Sequence, residues 1–227
     1  MKKRLILVIL IASAILVGAC SFSNITIGQR TILKGSGDLI TETRQVSGFT
    51  RIELDGSGQV EIVFADEESI TIEAEDNIMP LIETKVSNGV LVIGFKSNTS
   101  VTTLKPIRFT VAMKSLKGVQ IDGSGDVQIP EWAFDALDLE INGSGDIRSS
   151  GTADNLNIRV DGSGDINCAD LTAQSAEVTV NGSGSVKIDV VESLEIDIAG
   201  SGSVRYSGDP STLHTNVSGS GSIKKTD

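Results

Sequence analysis

The heptapeptide "INGSGDI" at residues 141–147 decides the fold, because close copies of it recur throughout the chain. Successive Gly-Ser-Gly triplets begin 21, 67, 20, 19, 20, 18 and 19 residues apart. A period near 20 residues predicts a solenoid in which each repeat forms one coil. The 67-residue interval has room for about three further coils whose turns lack the triplet. The eight triplets begin at Gly35, Gly56, Gly123, Gly143, Gly162, Gly182, Gly200 and Gly219.

The segments before the triplets alternate apolar and polar residues with the period of two that is typical of β-strands. Equivalent strand residues become neighbours if each repeat is one coil of a parallel β-helix, with coils stacked at ~4.8 Å. We therefore predict an all-β, single-stranded parallel β-helix with coils of ~20 residues, and a repeating hairpin sheet is the alternative. Two aligned apolar columns are Ile141, Val160, Val180, Ile198 and Val217 before the triplets, and Val127, Ile147, Ile166, Val186, Val204 and Ile223 after them.

The triplets are predicted to form the corners between strands. Glycine tolerates positive φ and lets neighbouring coils approach closely, so we expect one or both of these conditions at Gly143 and Gly162. An Asn or Asp directly before a triplet suits a turn, because its side chain can bond local backbone amides. These residues are Asp55, Asp122, Asn142, Asp161 and Asn181.

Residues 1–19 have the features of a lipoprotein signal peptide. A basic start precedes the apolar run "LILVILIASAILV" at 5–17, which is short for a membrane span. The run ends in "LVGAC", which resembles the bacterial lipobox, and this resemblance implies cleavage before Cys20 and diacylglycerol on its sulfur. The alternative is a plain secretory signal or a membrane anchor. Residues 20–29 are then a tether, followed by one domain at 30–227.

Charge and cysteine content restrict the possible partners. The formal net charge is −11, and loss of the leader, with its three basic residues, brings it to −14. An acidic chain is a poor polyanion binder, so we expect no nucleic-acid partner. Cys20 and Cys168 are the two cysteines, and lipidation of Cys20 would exclude an internal disulfide. Cys168 shares an apolar column with Ile129 and Ile188, which predicts a small core residue instead of a redox or metal group.

Longer stretches of the chain resemble a known family. "GSGDLITETRQVSGFTRIELDGSGQVEI" at 35–62, "DNIMPLIETKVSNGVLVIGF" at 76–95 and the repeated "GSGD" are similar to the auto-transporter adhesin head GIN domain family. The resemblance covers about residues 30–225. It implies a bacterial envelope protein, often lipidated, with a right-handed parallel β-helix and a role in adhesion. It transfers no catalytic residues.

The acid after the triplet is the first candidate for chemistry. Stacked carboxylates ~5 Å apart would repel, and a bound Ca²⁺ could relieve that repulsion. The period and the single acid per coil differ from Ca²⁺-binding β-rolls. We therefore expect solvated turn residues, no metal and no cofactor. Asp38, Asp126, Asp146 and Asp165 hold this position, and Gln59, Ser185, Ser203 and Ser222 replace the acid elsewhere.

Catalysis and sugar binding find little support in the sequence. Glycoside hydrolysis uses two carboxylates in a cleft, and the acids here are spread along the surface without an obvious pair. His214 falls in a polar, outward column. Sugar binding prefers exposed rings, and only Trp132 and Tyr206 carry large polar-tipped ones. We expect Trp132 to pack across a loop and Tyr206 to point at least partly inward.

These observations favour a non-enzymatic, lipid-anchored envelope protein with an adhesion or scaffold role. Its partners would be the membrane, through the lipid anchor, and an unidentified protein or glycan. "CSFSN" at 20–24 has no Asp directly after the cysteine, which fits sorting to an outer membrane. The alternative is a β-helix protein that binds or cleaves polysaccharide. A cleft with opposed acids and an exposed ring would favour that alternative over a uniform tube.

Overall fold

A computed structural model describes residues 32–226, which consist mainly of β-strands and contain one 3-10 turn at Met79–Leu81. The first part contains β1 (Ile32–Lys34), β2 (Leu39–Gln45), β3 (Arg51–Gly56), β4 (Gln59–Phe64), β5 (Ser69–Glu75), β6 (Ile82–Ser87), β7 (Val90–Phe95), β8 (Ser100–Thr102) and β9 (Arg108–Met113). The second contains β10 (Gly118–Gly123), β11 (Asp126–Gly143), β12 (Asp146–Gly162), β13 (Asp165–Gly182), β14 (Ser185–Gly200), β15 (Ser203–Ser207), β16 (Thr212–Gly219) and β17 (Ser222–Lys225).

The second part is a stack of coils held together by parallel strand pairing. Before the triplets, strands β3, β10, β11, β12, β13, β14 and β16 lie side by side in register. After the triplets, a second ladder runs through β4, β11, β12, β13, β14, β15 and β17. The predicted parallel β-helix is confirmed, with about five turns of ~20 residues. The alternative of a repeating hairpin sheet is wrong here, because every pair in both ladders is parallel.

The apolar columns of the sequence form the core of the tube. Ile141, Val160, Val180 and Ile198 stack on one another and are each at most 1% exposed. Full burial of such a side chain stabilises the fold by about 1.5–3 kcal/mol, so these columns stabilise the stack in addition to the strand pairing. The final coil differs, because Val217 at the end of the same column is 41% exposed.

The triplets form the corners, as predicted. Gly143 and Gly162 have φ values of 145° and 135°. A Cβ atom on Gly143 would lie 2.2 Å from the carbonyl oxygen of Gly123 in the preceding coil. That oxygen accepts a hydrogen bond from the Ser144 N–H at 2.8 Å. Both the positive φ and the close approach of the coils therefore require glycine.

The 67-residue interval does not contain three coils. Its two ends lie in adjacent coils, because β3 pairs directly with β10 and the Ser124 N–H donates to the Gly56 oxygen at 2.9 Å. The intervening chain extends the stack on the other side, because β7 pairs in parallel with β3 and β9 pairs in parallel with β4. It also forms antiparallel pairs, β5 with β9 and β6 with β7. The tight turn between β6 and β7 uses positive φ at Asn88 and Gly89, as the "SNG" signal at 87–89 indicates.

The first triplet also departs from the repeat. Residues 35–37 form no solenoid corner and instead wrap around the carboxylate of Glu75, which is 1% exposed. The Gly37 N–H donates to this carboxylate at 2.7 Å, and the Leu104 N–H donates at 3.0 Å. A Cβ on Gly35 would lie 2.1 Å from a Glu75 oxygen. Glycine is required here because a buried side chain, not a neighbouring coil, occupies the space.

Candidate interaction surfaces

The strands before the triplets present an acidic face to solvent. Parallel register stacks each outward position into a column along the tube. The two arginines in these columns already pair with carboxylates, Arg51 with Asp138 and Arg159 with Asp161 at 2.7 Å. The face therefore keeps a net negative charge. Its carboxylates are those of Glu53, Asp55, Asp122, Asp138, Glu140, Asp161, Glu177, Glu195 and Asp197.

Amide side chains separate carboxylates in the column next to the triplets. Asn142 donates from Nδ2 to Oδ1 of Asp122 at 2.8 Å, and Asn181 donates in the same way to Asp161 at 2.7 Å. These asparagines were expected to bond local backbone amides, and they bond the preceding coil instead. Each bond replaces a repulsive carboxylate pair with a donor and an acceptor, so the amides stabilise a column in which neutral and negative side chains alternate.

The column lacks this separation near its beginning. Asp55 and Asp122 stack directly, and Glu53 lies half-buried beside them. Burial, followed by the charges of Asp122 and Asp55, raises the pKa of the Glu53 carboxyl. Ionised Glu53 therefore opposes folding at neutral pH, since the folded state binds its proton more tightly than the unfolded chain does.

The acid column after the triplets lies at the surface, as predicted. Asp126, Asp146 and Asp165 stack on successive coils, and the Asp146 side chain is 38% exposed. Asp165 also accepts hydrogen bonds from the Ser185 N–H at 3.0 Å and from its hydroxyl at 2.7 Å. The carboxylate thus ties one coil to the next, a role that the sequence repeat did not reveal.

Trp132 lies beside an open groove on the side of the tube. Its ring stacks on Phe64 of β4, with centroids 4.1 Å apart and 24° between the planes, and the residue is 41% exposed. The expected packing across a loop is therefore wrong, because the ring packs on Phe64 of β4, a strand that pairs directly with β11. The groove has a volume of about 590 Å³ and is lined by Glu131, Trp132, Ala133, Ser150, Gly151, Thr152 and Asp170.

The other three singled-out residues occupy the positions that the sequence predicted. Cys168 is fully buried, and burial raises the pKa of its thiol to about 12, which keeps it protonated and unreactive. Tyr206 points inward and is 9% exposed. His214 is exposed, directly opposite Glu195 of the preceding coil.

Metal and membrane candidates were searched within residues 32–226. In this range, no group of three or more His, Cys, Asp or Glu side chains is placed to hold a metal ion. No helix among the described residues is long and apolar enough to cross a membrane. The predicted signal peptide at 1–19, Cys20 and the tether at 20–29 all lie outside the described residues, so these assignments stay predictions.

Sequence reasoning missed a row of cations on the strands after the triplets. Lys187, Arg205 and Lys224 occupy one outward column on three successive coils. A signal was present, because each of them lies two residues after a Ser that directly follows a triplet in place of Asp. This Ser-to-cation spacing points to a surface feature only once the strand register shows that the three side chains are neighbours.

Comparisons with known proteins agree with the fold. Residues 48–210 match the family described as "Putative auto-transporter adhesin, head GIN domain". No curated protein matches the chain significantly. Among solved structures, a "putative adhesin" from Bacteroides fragilis is 25% identical, with a TM-score of 0.72 over 86% of this chain and 100% of that one.

Two further structures share the fold at lower identity. A "putative adhesin" from Parabacteroides merdae is 21% identical, with a TM-score of 0.58, over 86% of this chain and 99% of that one. A "Putative lipid binding protein" from Parabacteroides distasonis is 24% identical, with a TM-score of 0.53, over 87% of this chain and 100% of that one.

Proposed function

Because the chain belongs to this family of adhesin head GIN domains, we propose that it is an adhesion-type protein of the bacterial cell surface. It binds a partner and does not catalyse a reaction. Family membership, first inferred from the repeated "GSGD" and its flanking strands, is confirmed and supports a location at the cell surface. The geometry of the tube supports a role in binding.

The acidic face is the observation that carries the proposal. Its carboxylates project from strands whose inward neighbours are almost fully buried, so the backbone positions that carry them are fixed before any partner arrives. A preorganised surface loses little conformational freedom on binding, which favours affinity. Its surplus negative charge favours a partner with a basic surface.

A catalytic role is less well supported by the arrangement of the acids. The carboxylates of the acidic face project outward from one side of the tube. General acid–base pairs, in contrast, face each other across a bound substrate. The grooves among the described residues are open depressions on a tube, and the fully buried thiol of Cys168 cannot reach a substrate. Binding is thus the simpler use of the surface.

The proposal includes lipidation of Cys20 and localisation to an outer membrane. Support comes from "LVGAC" at 16–20, which follows a basic and apolar leader, and from the absence of Asp directly after Cys20. Several acyl chains on one cysteine give stable anchoring, whereas one chain gives only reversible binding. The tether at 20–29 then separates the β-helix from the membrane.

Anchoring is tested by expressing the full chain and its Cys20→Ala variant in a diderm bacterium. We expect the wild-type chain in the outer-membrane fraction, with a mass that shows cleavage before Cys20 and added acyl groups. The variant should lose the acyl mass and leave this fraction. A variant with unchanged mass and membrane association contradicts lipidation, and cofractionation of the wild type with the inner membrane contradicts the sorting.

Adhesion through the acidic face is tested with cells that display the chain. The variant Glu177→Gln/Glu195→Gln/Asp197→Asn should reduce attachment to a panel of immobilised matrix proteins and basic peptides several-fold. The control, Asp66→Asn/Glu67→Gln/Glu83→Gln, removes the same charge from exposed positions elsewhere and should attach like the wild type. Equal attachment by all three proteins would exclude the acidic face as the contact surface.

A second candidate function, glycan binding, is favoured by the groove at Trp132. An exposed ring can pack against the apolar face of a sugar, and adjacent carboxylates and hydroxyls can bond its hydroxyl groups. Such carboxylates, Glu131 and Asp170, line the groove together with Ser150 and Thr152. The carboxylates disfavour acidic sugars, so the ligand would be a neutral oligosaccharide.

The glycan candidate has a direct spectroscopic test, because Trp132 is the only tryptophan in the chain. Titration with neutral oligosaccharides should change its fluorescence in a saturable way, and Trp132→Phe should weaken binding measured by calorimetry. Val191→Ala, a change at another exposed apolar residue, should leave binding intact. Unchanged fluorescence and no heat across the oligosaccharide panel would reject the site.

A further inference from the structure

The triplets fall into two classes that differ in charge. "GSGDVQ" (123–128), "GSGDIR" (143–148) and "GSGDIN" (162–167) place an acid directly after the triplet. "GSGSVK" (182–187), "GSGSVR" (200–205) and "GSGSIK" (219–224) place Ser there and a cation two residues later. In the last three coils the acid is absent and a cation is present, whereas the coil at 143–148 carries both, and there Arg148 lies 3.7 Å from Asp146.

Stacking brings these residues into two adjacent columns on one face. Lys187 pairs in register with Arg205, and Arg205 pairs with Lys224, so the three cations follow one another at the coil spacing of ~4.8 Å. All three side chains belong to exposed residues. A parallel column of hydroxyls lies beside them. We call the set the basic strip, and it consists of Ser185, Lys187, Ser203, Arg205, Ser222 and Lys224.

The protein does not neutralise the basic strip itself. Within residues 32–226, Lys187, Arg205 and Lys224 form no ion pair. The nearby Asp189 accepts hydrogen bonds from the hydroxyls of Thr172 and Ser207, at 2.9 and 2.7 Å.

Arginines elsewhere on the surface behave differently. Arg51, Arg108 and Arg159 each bind a carboxylate. Like charges directly opposite one another on neighbouring strands are unfavourable, so the basic strip has an electrostatic cost that an external anion would remove.

We propose that the basic strip binds a linear anionic polysaccharide. Single-file cations that repeat at the coil spacing match a chain whose acidic groups also repeat. The hydroxyls of Ser203 and Ser222 alongside can donate to carboxylate, sulfate or phosphate oxygens, whereas that of Ser185 already donates to Asp165. The acidic face belongs to the other strand ladder, and salt screens its charges beyond ~8–10 Å. The overall negative charge therefore does not prevent a local anion site.

The shape of the strip favours a polysaccharide over two other polyanions. An anionic membrane would be matched best by cations spread over a plane, whereas this strip is one column wide and is flanked by neutral serines. Single-stranded nucleic acid binds to exposed rings on which its bases stack. The aromatic residue next to the strip, Tyr206, points into the core.

The test compares three variants of the full chain, all with Cys20→Ala so that no acyl chain contributes. The strip variant is Lys187→Gln/Arg205→Gln/Lys224→Gln. The matched control, Arg51→Gln/Arg108→Gln/Arg159→Gln, removes the same charge from paired arginines. The conversion variant, Ser185→Asp/Ser203→Asp/Ser222→Asp, restores the acid that the other coils carry and keeps every cation.

The probe is dextran sulfate, with uncharged dextran as its control. We expect the unmodified strip to bind dextran sulfate in a salt-sensitive manner and not to bind dextran. The strip variant and the conversion variant should bind about tenfold more weakly, as expected for three exposed charge contacts, and the matched control should retain the affinity. Melting curves of the variants, measured in parallel, show that the fold is kept.

Several results overturn the proposal. Unchanged affinity in the strip variant, or an equal loss in the matched control, shows that net charge rather than the strip governs binding. Binding to phosphatidylglycerol vesicles over phosphatidylcholine vesicles that depends on the strip, without binding to dextran sulfate, assigns the strip to a membrane surface. The site is independent of the proposed adhesion through the acidic face, whose test uses other residues and basic partners.

Discussion

The triplets at 35–37 and at 162–164 have the same sequence and different structural reasons for it. At Gly162 a Cβ would lie 2.3 Å from the carbonyl oxygen of Gly143 in the preceding coil. At Gly35 it would lie 2.1 Å from the buried carboxylate of Glu75. The first case is a backbone contact that recurs along the stack, and the second is a single side-chain contact. The comparison teaches that a repeated motif acquires its structural role from the neighbour against which it packs.

The largest effect is expected at a solenoid corner. Gly162→Val combines a φ of 135° with a collision against the backbone of the coil below. Backbone strain and overpacking together should lower the free energy of unfolding by about 3 kcal/mol or more, measured by urea denaturation. Gly48→Val is the control, since Gly48 has a φ of 78° and nothing within 4 Å of its Cβ position. An equal loss in both variants would contradict the collision.

The second largest effect is expected at the first triplet, where the buried carboxylate of Glu75 is the neighbour. Glu75→Ala leaves the N–H groups of Gly37 and Leu104 without their acceptor, which should cost about 2–4 kcal/mol. Hydrogen exchange should accelerate at these two amides before it does in the stacked coils. Glu73→Ala, which removes an exposed ion pair with Arg108, should cost less than about 1 kcal/mol. If hydrogen exchange accelerated equally in the stacked coils, the first triplet and the coils would not be separate regions.

A smaller effect, of opposite sign, is expected at the junction of the two regions. The pKa of Glu53 is raised in the folded state, so stability contributed by its protonated form is lost as the pH rises through the folded pKa. Glu53→Gln should therefore raise the free energy of unfolding at pH 7 by less than about 1 kcal/mol. The gain should vanish at pH values below the ordinary pKa of Glu. A gain that persists unchanged in acid would implicate packing instead of charge.

The smallest effect is expected in the acid column after the triplets. Asp126→Asn/Asp146→Asn/Asp165→Asn keeps oxygen acceptors, including the one for Ser185, and removes mutual repulsion. The melting temperature should stay the same or rise slightly, and millimolar Ca²⁺ should not change it. Calorimetry of both proteins with and without Ca²⁺ checks this. A large Ca²⁺-dependent rise in the wild type that is absent from the variant would reveal a metal ladder.

The candidate surfaces could be predicted only in part. The sequence identified the columns that contain Asp146 and Asp165 and the outward position of His214, because alternation along a strand specifies which residues face solvent. It did not predict the amide bonds between coils or the neighbouring positions of Lys187, Arg205 and Lys224. Those depend on which coils are adjacent, which is a property of register and not of local pattern.

The sequence by itself determined the parallel β-helix, its coil length, its glycine corners and the inward place of Cys168. These features repeat every ~20 residues, and one repeating unit can only stack on copies of itself in register. Tertiary structure decided the direct pairing of β3 with β10 across 67 residues, the burial of Glu75 beneath the first triplet and the stacking of Trp132 on Phe64. The physical reason is that each is a single long-range contact without periodicity, so no repeat in the sequence records it.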